Sequence, residues 1–127
     1  MKNGRYEEDD SIRYYFNNIL HRENGPAIEF YDGQKSWLLN GLRHRENGPA
    51  LEGLNGSAMW FLNNLLHRED GPAWDCKNDN GSWEKRWFLN GQELTKEEYG
   101  HFLEKKALKE KLESKLAEKG STSRGKI

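Results

Sequence analysis

Along most of the chain, short apolar blocks alternate with polar turn residues at close and regular spacing. Tyr14-Tyr15-Phe16, Trp37-Leu38-Leu39, Trp60-Phe61-Leu62 and Trp87-Phe88-Leu89 are each followed at once by Asn-Asn or Asn-Gly. A block of this length is too short for a helix and suits a strand. Asn and Gly tolerate the positive φ of a tight hairpin turn. Seven residues after the first three aromatics comes a second block, His21-Arg22-Glu23-Asn24-Gly25-Pro26-Ala27, His44-Arg45-Glu46-Asn47-Gly48-Pro49-Ala50 and His67-Arg68-Glu69-Asp70-Gly71-Pro72-Ala73. The two intervals are both 23 residues, and all three prolines lie in these copies.

The period predicts the architecture. Each unit reads as an aromatic-rich strand, a tight turn, a return strand carrying His-Arg-Glu, a turn at Asn/Asp-Gly-Pro, and a further strand such as 27–31. Proline cannot donate to a ladder, so it belongs at a strand start. The expected fold is mainly β: an elongated antiparallel meander of hairpin repeats with a C-terminal α-helix. The fourth copy, at Trp87, follows a four-residue insertion near 78–81, read as a longer hairpin. It has Leu94 where the others have His, and the array stops there. One unit cannot bury its own apolar face, so stacked neighbours are expected to align Tyr14, Trp37, Trp60 and Trp87 as a structural spine, with Leu39, Leu62 and Leu89 on the same side.

Thr95-Lys96-Glu97-Glu98 has the form of a capping box, which predicts a helix over 95–119. Tyr99, Phe102 and Leu103 are expected to fold back on the last repeat. Leu108, Leu112 and Leu116 then recur every four residues as a narrow apolar stripe that could dock on the sheet, on a second copy as a homodimer, or on a partner. The domain plan is therefore a flexible acidic leader (1–11), a repeat domain (12–94), a helix (95–119) and a flexible basic tail (120–127).

Composition fits a thin structure. The 127 residues are 34% hydrophobic and 32% charged, with five Trp and a net charge of −1. The charge is uneven: from Glu104 onward there are eight basic and four acidic residues, against twelve and seventeen before it. The acidic body counts against general nucleic-acid binding. One cysteine excludes an intrachain disulfide and fits a reducing compartment. No segment reads as a signal peptide or a membrane span, which points to a cytoplasmic protein.

Candidate chemistry centres on the repeated polar residues. His21, His44 and His67 invite a metal, but equivalent residues in a two-strand repeat stand about 10 Å apart, and a zinc-ligand nitrogen must lie about 2.1 Å from its ion. No metal and no cofactor is expected, and each His is read as bonding a backbone group or stacking on the neighbouring unit. Arg22, Arg45 and Arg68 alternate with Glu23, Glu46 and Glu69, so an Arg row matched to a carboxylate row would knit adjacent units. The same Arg row could hold a small anion such as a signalling nucleotide. No nucleophile elbow, phosphate loop or zincin motif is present. Cys76 reads as a half-buried filler, and the Asp75, Asn78, Asp79 spacing does not match a calcium loop.

The aromatic, Asn-Gly, spaced His and following Gly resemble the MORN repeat family in a variant form, over about residues 12–94. The His-Arg-Glu-Asn/Asp-Gly-Pro-Ala version looks like repeats in hypothetical proteins of tailed phages, bacteria and large DNA viruses. The resemblance implies a twisted sheet of hairpins and a role in protein binding, assembly or membrane-surface contact. Here His-Arg-Glu-Asn-Gly replaces the usual His-Gly-x-Gly, so lipid binding is not carried over. It also implies, for a phage-encoded chain, an accessory protein that binds and inhibits a host defence protein in the host cytoplasm. The residues themselves favour a non-enzymatic interaction module. A binder of a small anion and a self-assembling structural protein are the alternatives.

Overall fold

The computed structural model describes the backbone of residues 1–125 and the side chains through Lys119. It divides into two units, 1–94 and 95–127. The first is an antiparallel meander. Its strands are β1 (Gly4–Glu7), β2 (Ser11–Phe16), β3 (Ile19–Leu20), β4 (Ile28–Phe30), β5 (Lys35–Ser36), β6 (Leu38–Leu39), β7 (Leu42–Arg43), β8 (Leu51–Glu52), β9 (Ala58–Met59), β10 (Phe61–Leu62), β11 (Leu65–Leu66), β12 (Trp74–Lys77), β13 (Trp83–Leu89) and β14 (Gln92–Leu94). The main sheet runs in the order β1-β2-β4-β5-β8-β9-β12-β13-β14, with β3 on β2, and it does not close. The short ladders β6–β7 and β10–β11 are the hairpins of the middle units.

The hairpin turns form where Asn-Asn and Asn-Gly require them. Both central residues have positive φ at Asn17-Asn18 (50° and 67°), Asn40-Gly41 (51° and 79°), Asn63-Asn64 (47° and 69°) and Asn90-Gly91 (50° and 81°). That pair of angles matches the right-handed twist of the flanking strands. The return strands end at Leu20, Arg43 and Leu66. The expectation that they carry His-Arg-Glu is therefore corrected: these residues lie outside the strands, because the His side chain and the Arg backbone amide both bond the following unit. The 78–81 insertion is the tip of the β12–β13 hairpin, closed by Asn78 N–H to Ser82 O at 2.7 Å. The only helical turn before Thr95 among the described residues is a 3-10 turn at Leu54–Gly56.

The core follows the repeat, with a different parity from the one expected. The file next to each Trp is the buried one: Leu38, Phe61 and Phe88 are 7–9% exposed, and Ala27, Ala50 and Ala73 are fully buried. Tyr14, Trp37, Trp60 and Trp87 are half-buried, as are Leu39, Leu62 and Leu89. For Tyr14, Trp37 and Trp60 the reason is chemical, since one ring face is covered by a guanidinium rather than by apolar side chains (below). The backbone C=O groups of these three alanines accept the N–H groups of Tyr14, Trp37 and Trp60 at 2.7–2.8 Å.

The leader expected to be loose is ordered. β1 pairs with β2 from Gly4↔Tyr15 to Glu7↔Ile12, and β2 itself begins at Ser11 rather than 12. The first turn needs acceptors that no earlier unit supplies, and the N-terminal residues provide them. Asn18 N–H donates to Lys2 O at 2.9 Å, and Asn17 N–H to Asn3 Oδ1 at 2.9 Å. Asn3→Ala is expected to lower stability by about 0.5–1 kcal/mol through loss of the bond to the exposed Asn17 amide, with faster hydrogen exchange there than at the later turns. Equal exchange in both proteins would contradict this capping role.

The second unit is one helix, α1 (Lys96–Gly125). It starts as expected: Thr95 N–H donates to Glu98 Oε1 at 2.9 Å and Glu98 N–H to Thr95 Oγ1 at 3.1 Å. These bonds hold the Glu98 carboxyl below its usual range. Tyr99 is buried, and its ring meets Phe102 at 5.9 Å between centroids. The helix continues past the expected limit at 119, because Gly120 weakens a helix without ending it. Of the stretch expected as a flexible tail, the side chains from 120 and the whole of 126–127 lie outside the described residues.

Candidate functional site

The repeated His-Arg-Glu segments stand where one unit meets the next. Each imidazole uses Nδ1 as an acceptor. Asn40 N–H donates to His21 Nδ1 at 2.8 Å, Asn63 N–H to His44 Nδ1 at 2.9 Å, and Asn90 N–H to His67 Nδ1 at 2.9 Å. The second turn amide takes the neighbouring carbonyl: Gly41 N–H to Leu20 O, Asn64 N–H to Arg43 O and Gly91 N–H to Leu66 O, at 2.8–2.9 Å. A return strand thus offers two acceptors, one backbone and one imidazole, to the next turn. At the start of the array, Lys2 O and Asn3 Oδ1 occupy the same two roles. At its end Leu94 replaces His, so the second acceptor is missing, and this gives a physical reason for the array to stop.

With Nδ1 accepting, the ring proton resides on Nε2. That nitrogen faces Glu23 Oε1 and Glu46 Oε1 at 3.7 Å, and Glu69 Oε2 at 3.1 Å. The glutamates therefore sit beside the imidazoles, and the carboxylates that Arg22 and Arg45 meet are Glu29 and Glu52 rather than Glu23 and Glu46, which corrects the expected row in those two units. The arginines turn inward within their own unit. Their guanidinium carbons lie over rings eight residues earlier: Arg22 over Tyr14 at 3.8 Å, and Arg45 over Trp37 and Arg68 over Trp60 at 3.9 Å. Nη1 donates to the proline carbonyl of the same unit, at Pro26, Pro49 and Pro72, over 3.1–3.2 Å. Arg22 and Arg45 also donate to Glu29 and Glu52, at 2.8 and 2.9 Å.

The glycine of each motif has the matching role. A Cβ on Gly25, Gly48 or Gly71 would lie 3.0, 2.7 or 2.8 Å from the guanidinium carbon of Arg22, Arg45 or Arg68. The guanidinium is held between an aromatic face and a bare glycine backbone. Such a stack contributes about 0.5–2 kcal/mol, depending on how dry it is. The ion pairs are roughly one-third exposed, and solvent screening keeps their share near the low end of about 0–1 kcal/mol.

Unit three departs from this pattern. Asp75 stands where units one and two have Glu29 and Glu52, one methylene shorter. Its Oδ1 is buried without a hydrogen-bond partner, while Arg68 Nε donates to Asp70 Oδ1 at 2.8 Å. Asp75→Glu is expected to raise stability by about 1 kcal/mol by restoring the bond, read as a higher urea midpoint. An unchanged or lower midpoint would show that the shorter carboxylate is already accommodated.

A 330 Å³ groove opens between units one and two. It brings together Arg22, Trp37, Leu39, His44 and Arg45, with Glu23 and Glu46 at its rim. Of the predicted site residues, Arg22, His44 and Arg45 therefore share one groove. His21, His44 and His67 bond three different turns, and among the described residues no group of three or more His, Cys, Asp and Glu side chains is placed to hold a metal. Cys76, on β12, points its thiol at Ala58 O, 3.6 Å away. Burial pushes that thiol above its ordinary pKa, the opposite of what a nucleophile needs. Leu108, Leu112 and Leu116 are 53–67% exposed on α1. No helix among the described residues is long and apolar enough to cross a membrane.

Two rows of exposed apolar side chains went unnoticed in the sequence because each sits beside a turn, where polarity dominates the local pattern. On the edge formed by the Asn turns are Phe16, Ile19, Leu42 and Leu65, 43–56% exposed. Ile19 Cγ2 and Leu65 Cδ2 each come within 3.1 Å of where a Cβ would sit on the next turn's Gly41 and Gly91. On the opposite hairpin tips are Tyr31, Leu54 and Trp83, 45–58% exposed. Comparison with known proteins returned no match to any family model, curated protein or solved structure.

Proposed function

We propose that this chain is a non-enzymatic protein-binding module. What supports the reading is a division of labour between side chains. The repeated His and Arg groups are engaged inside the array, each with a named partner, while large apolar side chains face outward along both edges. Aromatic and aliphatic side chains in rows on a rigid ladder are suited to be anchors for another protein. The resemblance to variant MORN repeats adds a finer version, in which a phage accessory protein engages and inhibits a host defence protein. That version rests on the resemblance alone.

The test is affinity capture from bacterial lysate, with the intact chain beside a variant carrying Phe16→Asp, Leu42→Asp and Leu65→Asp. A partner recovered by the first and lost by the second is expected. No partner above background, or equal recovery by both, would overturn the reading. A second reading assigns the groove at Arg22, Trp37 and Arg45 to a small planar anion, since two guanidinium groups and an indole meet there. Thermal-shift screening with nucleotides decides it, and no stabilisation at millimolar concentration removes it.

A further inference from the structure

The second exposed row lies on the hairpin tips, at residues 8–10, 31–34, 53–57 and 78–82. Successive tips are laced together. The Tyr31 hydroxyl donates to Glu8 O at 3.3 Å, Leu54 Cδ2 lies 3.9 Å from the Cβ position of Gly33, and Trp83 Cη2 lies 3.9 Å from that of Gly56. Each side chain reaches the tip before it and still leaves about half its surface in solvent. These tips carry Glu8, Asp9, Asp10, Asp32 and Asp79. Lys2 pairs with Glu8 and Arg13 with Asp10, and Lys77 stands across from Trp83. Asp9, Asp32 and Asp79 are therefore the tip carboxylates outside any ion pair among the described residues. Beside them the sheet has a mainly apolar cavity of about 150 Å³, lined by Phe30, Leu51, Ala58, Met59 and Cys76, with Lys35 and Glu52 also on its wall.

The helix has the complementary chemistry. At 100° per residue, Leu108, Leu112 and Leu116 form one stripe. Lys105, Lys109, Lys115 and Lys119 fall within about 60° of its centre, whereas Glu110, Glu113 and Glu118 fall about 100° or more away. The leucines are therefore flanked by lysines, and the acids lie farther round the helix, Glu104 at about 80° being the nearest of them. All three leucines are more than half exposed. One chain thus carries an apolar row with acidic neighbours and an apolar stripe with basic neighbours, and both stand open.

We propose that the hairpin tips of one copy receive the lysine-flanked leucine stripe of α1 from a second copy. This deepens the binding reading by naming the occupant of one edge. Apolar anchors at Tyr31, Leu54 and Trp83 supply contact area, the cavity accepts a leucine side chain, and the lysines meet the tip carboxylates. The pairing is heterologous, tip to helix, so a pair of copies keeps one free helix stripe and one free set of tips unless the contact closes on itself. Charge complementarity makes it weaker at high salt.

The test is sedimentation of the full chain from low micromolar to near-millimolar concentration. Concentration-dependent association is expected. Leu54→Glu and Leu112→Glu should each weaken it about tenfold or more, a change of about 1.4 kcal/mol, with β and helical circular dichroism unchanged. Mixing the two variants should restore a one-to-one complex, because one retains the helix and the other the tips. A monomer at every concentration overturns the proposal. So does association that depends on Leu112 alone and is not restored by mixing, which would be helix-to-helix pairing. A monomer that still captures a partner would leave the binding reading standing and remove this one.

Discussion

Replacing His44 with leucine should cost about 1–2 kcal/mol, combining the loss of one hydrogen bond at a solvent-exposed turn with the loss of an imidazole that is itself largely buried between units. The expected damage lies at one joint. Asn63 N–H loses its partner 2.9 Å away, while Asn64 N–H keeps Arg43 O. In an array where each unit touches only its neighbours, weakening a middle joint lowers cooperativity as well as stability. Urea unfolding of His44→Leu should show a lower midpoint and a shallower slope than the parent. His101→Leu, a substitution of the exposed imidazole on α1, is the control and should leave both unchanged. A His44→Leu curve that overlays the parent would mean that the imidazole does not join the units.

The second large effect concerns Gly48. A methyl there would stand 2.7 Å from Arg45 Cζ and 2.8 Å from Arg45 Nε. The guanidinium, at the far end of a flexible side chain, would have to shift, loosening its stack on Trp37 and its bonds to Pro49 O and Glu52. Gly48→Ala should cost about 1 kcal/mol, from a weakened cation–π stack and weakened guanidinium hydrogen bonds. The cause can be isolated by a double-mutant cycle. In an Arg45→Ala background the same methyl meets empty space, and its cost should fall to a few tenths of a kcal/mol. Additive costs would place the penalty in the backbone of residue 48 rather than in the Arg–Gly contact.

The reach of sequence reasoning differed from residue to residue. The 23-residue period, the strand blocks and the Asn turns were legible, since each is written in local chemistry: β-forming apolar residues, then residues that accept positive φ. The helix start was legible because a capping box is a four-residue signal. The spacing of equivalent units keeps the three rings apart and left each imidazole either to bond backbone or to stack on its neighbour; the bonds to Asn40, Asn63 and Asn90 N–H are the first of these. The partner of each arginine was not legible. Arg45 stands next to Glu46 in sequence, yet it folds back eight residues to Trp37 and forward seven to Glu52. Both partners lie across a turn, and the only local trace is a glycine small enough to lie under the guanidinium. The N-terminal strand, Gly4–Glu7, was missed because the acidic run from Glu7 to Asp10 that follows it reads as a solvated segment. The acceptors that matter there are Lys2 O and Asn3 Oδ1, one of them a backbone atom that leaves no mark in a sequence.

The inward turn of the repeated polar residues can be observed without any substitution. The most direct measurement is by nuclear magnetic resonance on nitrogen-15-labelled chain at neutral pH. Couplings across the N–H···N bonds should link the Asn40, Asn63 and Asn90 amides to Nδ1 of His21, His44 and His67, with the ring proton on Nε2 in all three. Rings protonated on Nδ1, or turn amides without a coupled imidazole, would contradict the account of how these units are joined.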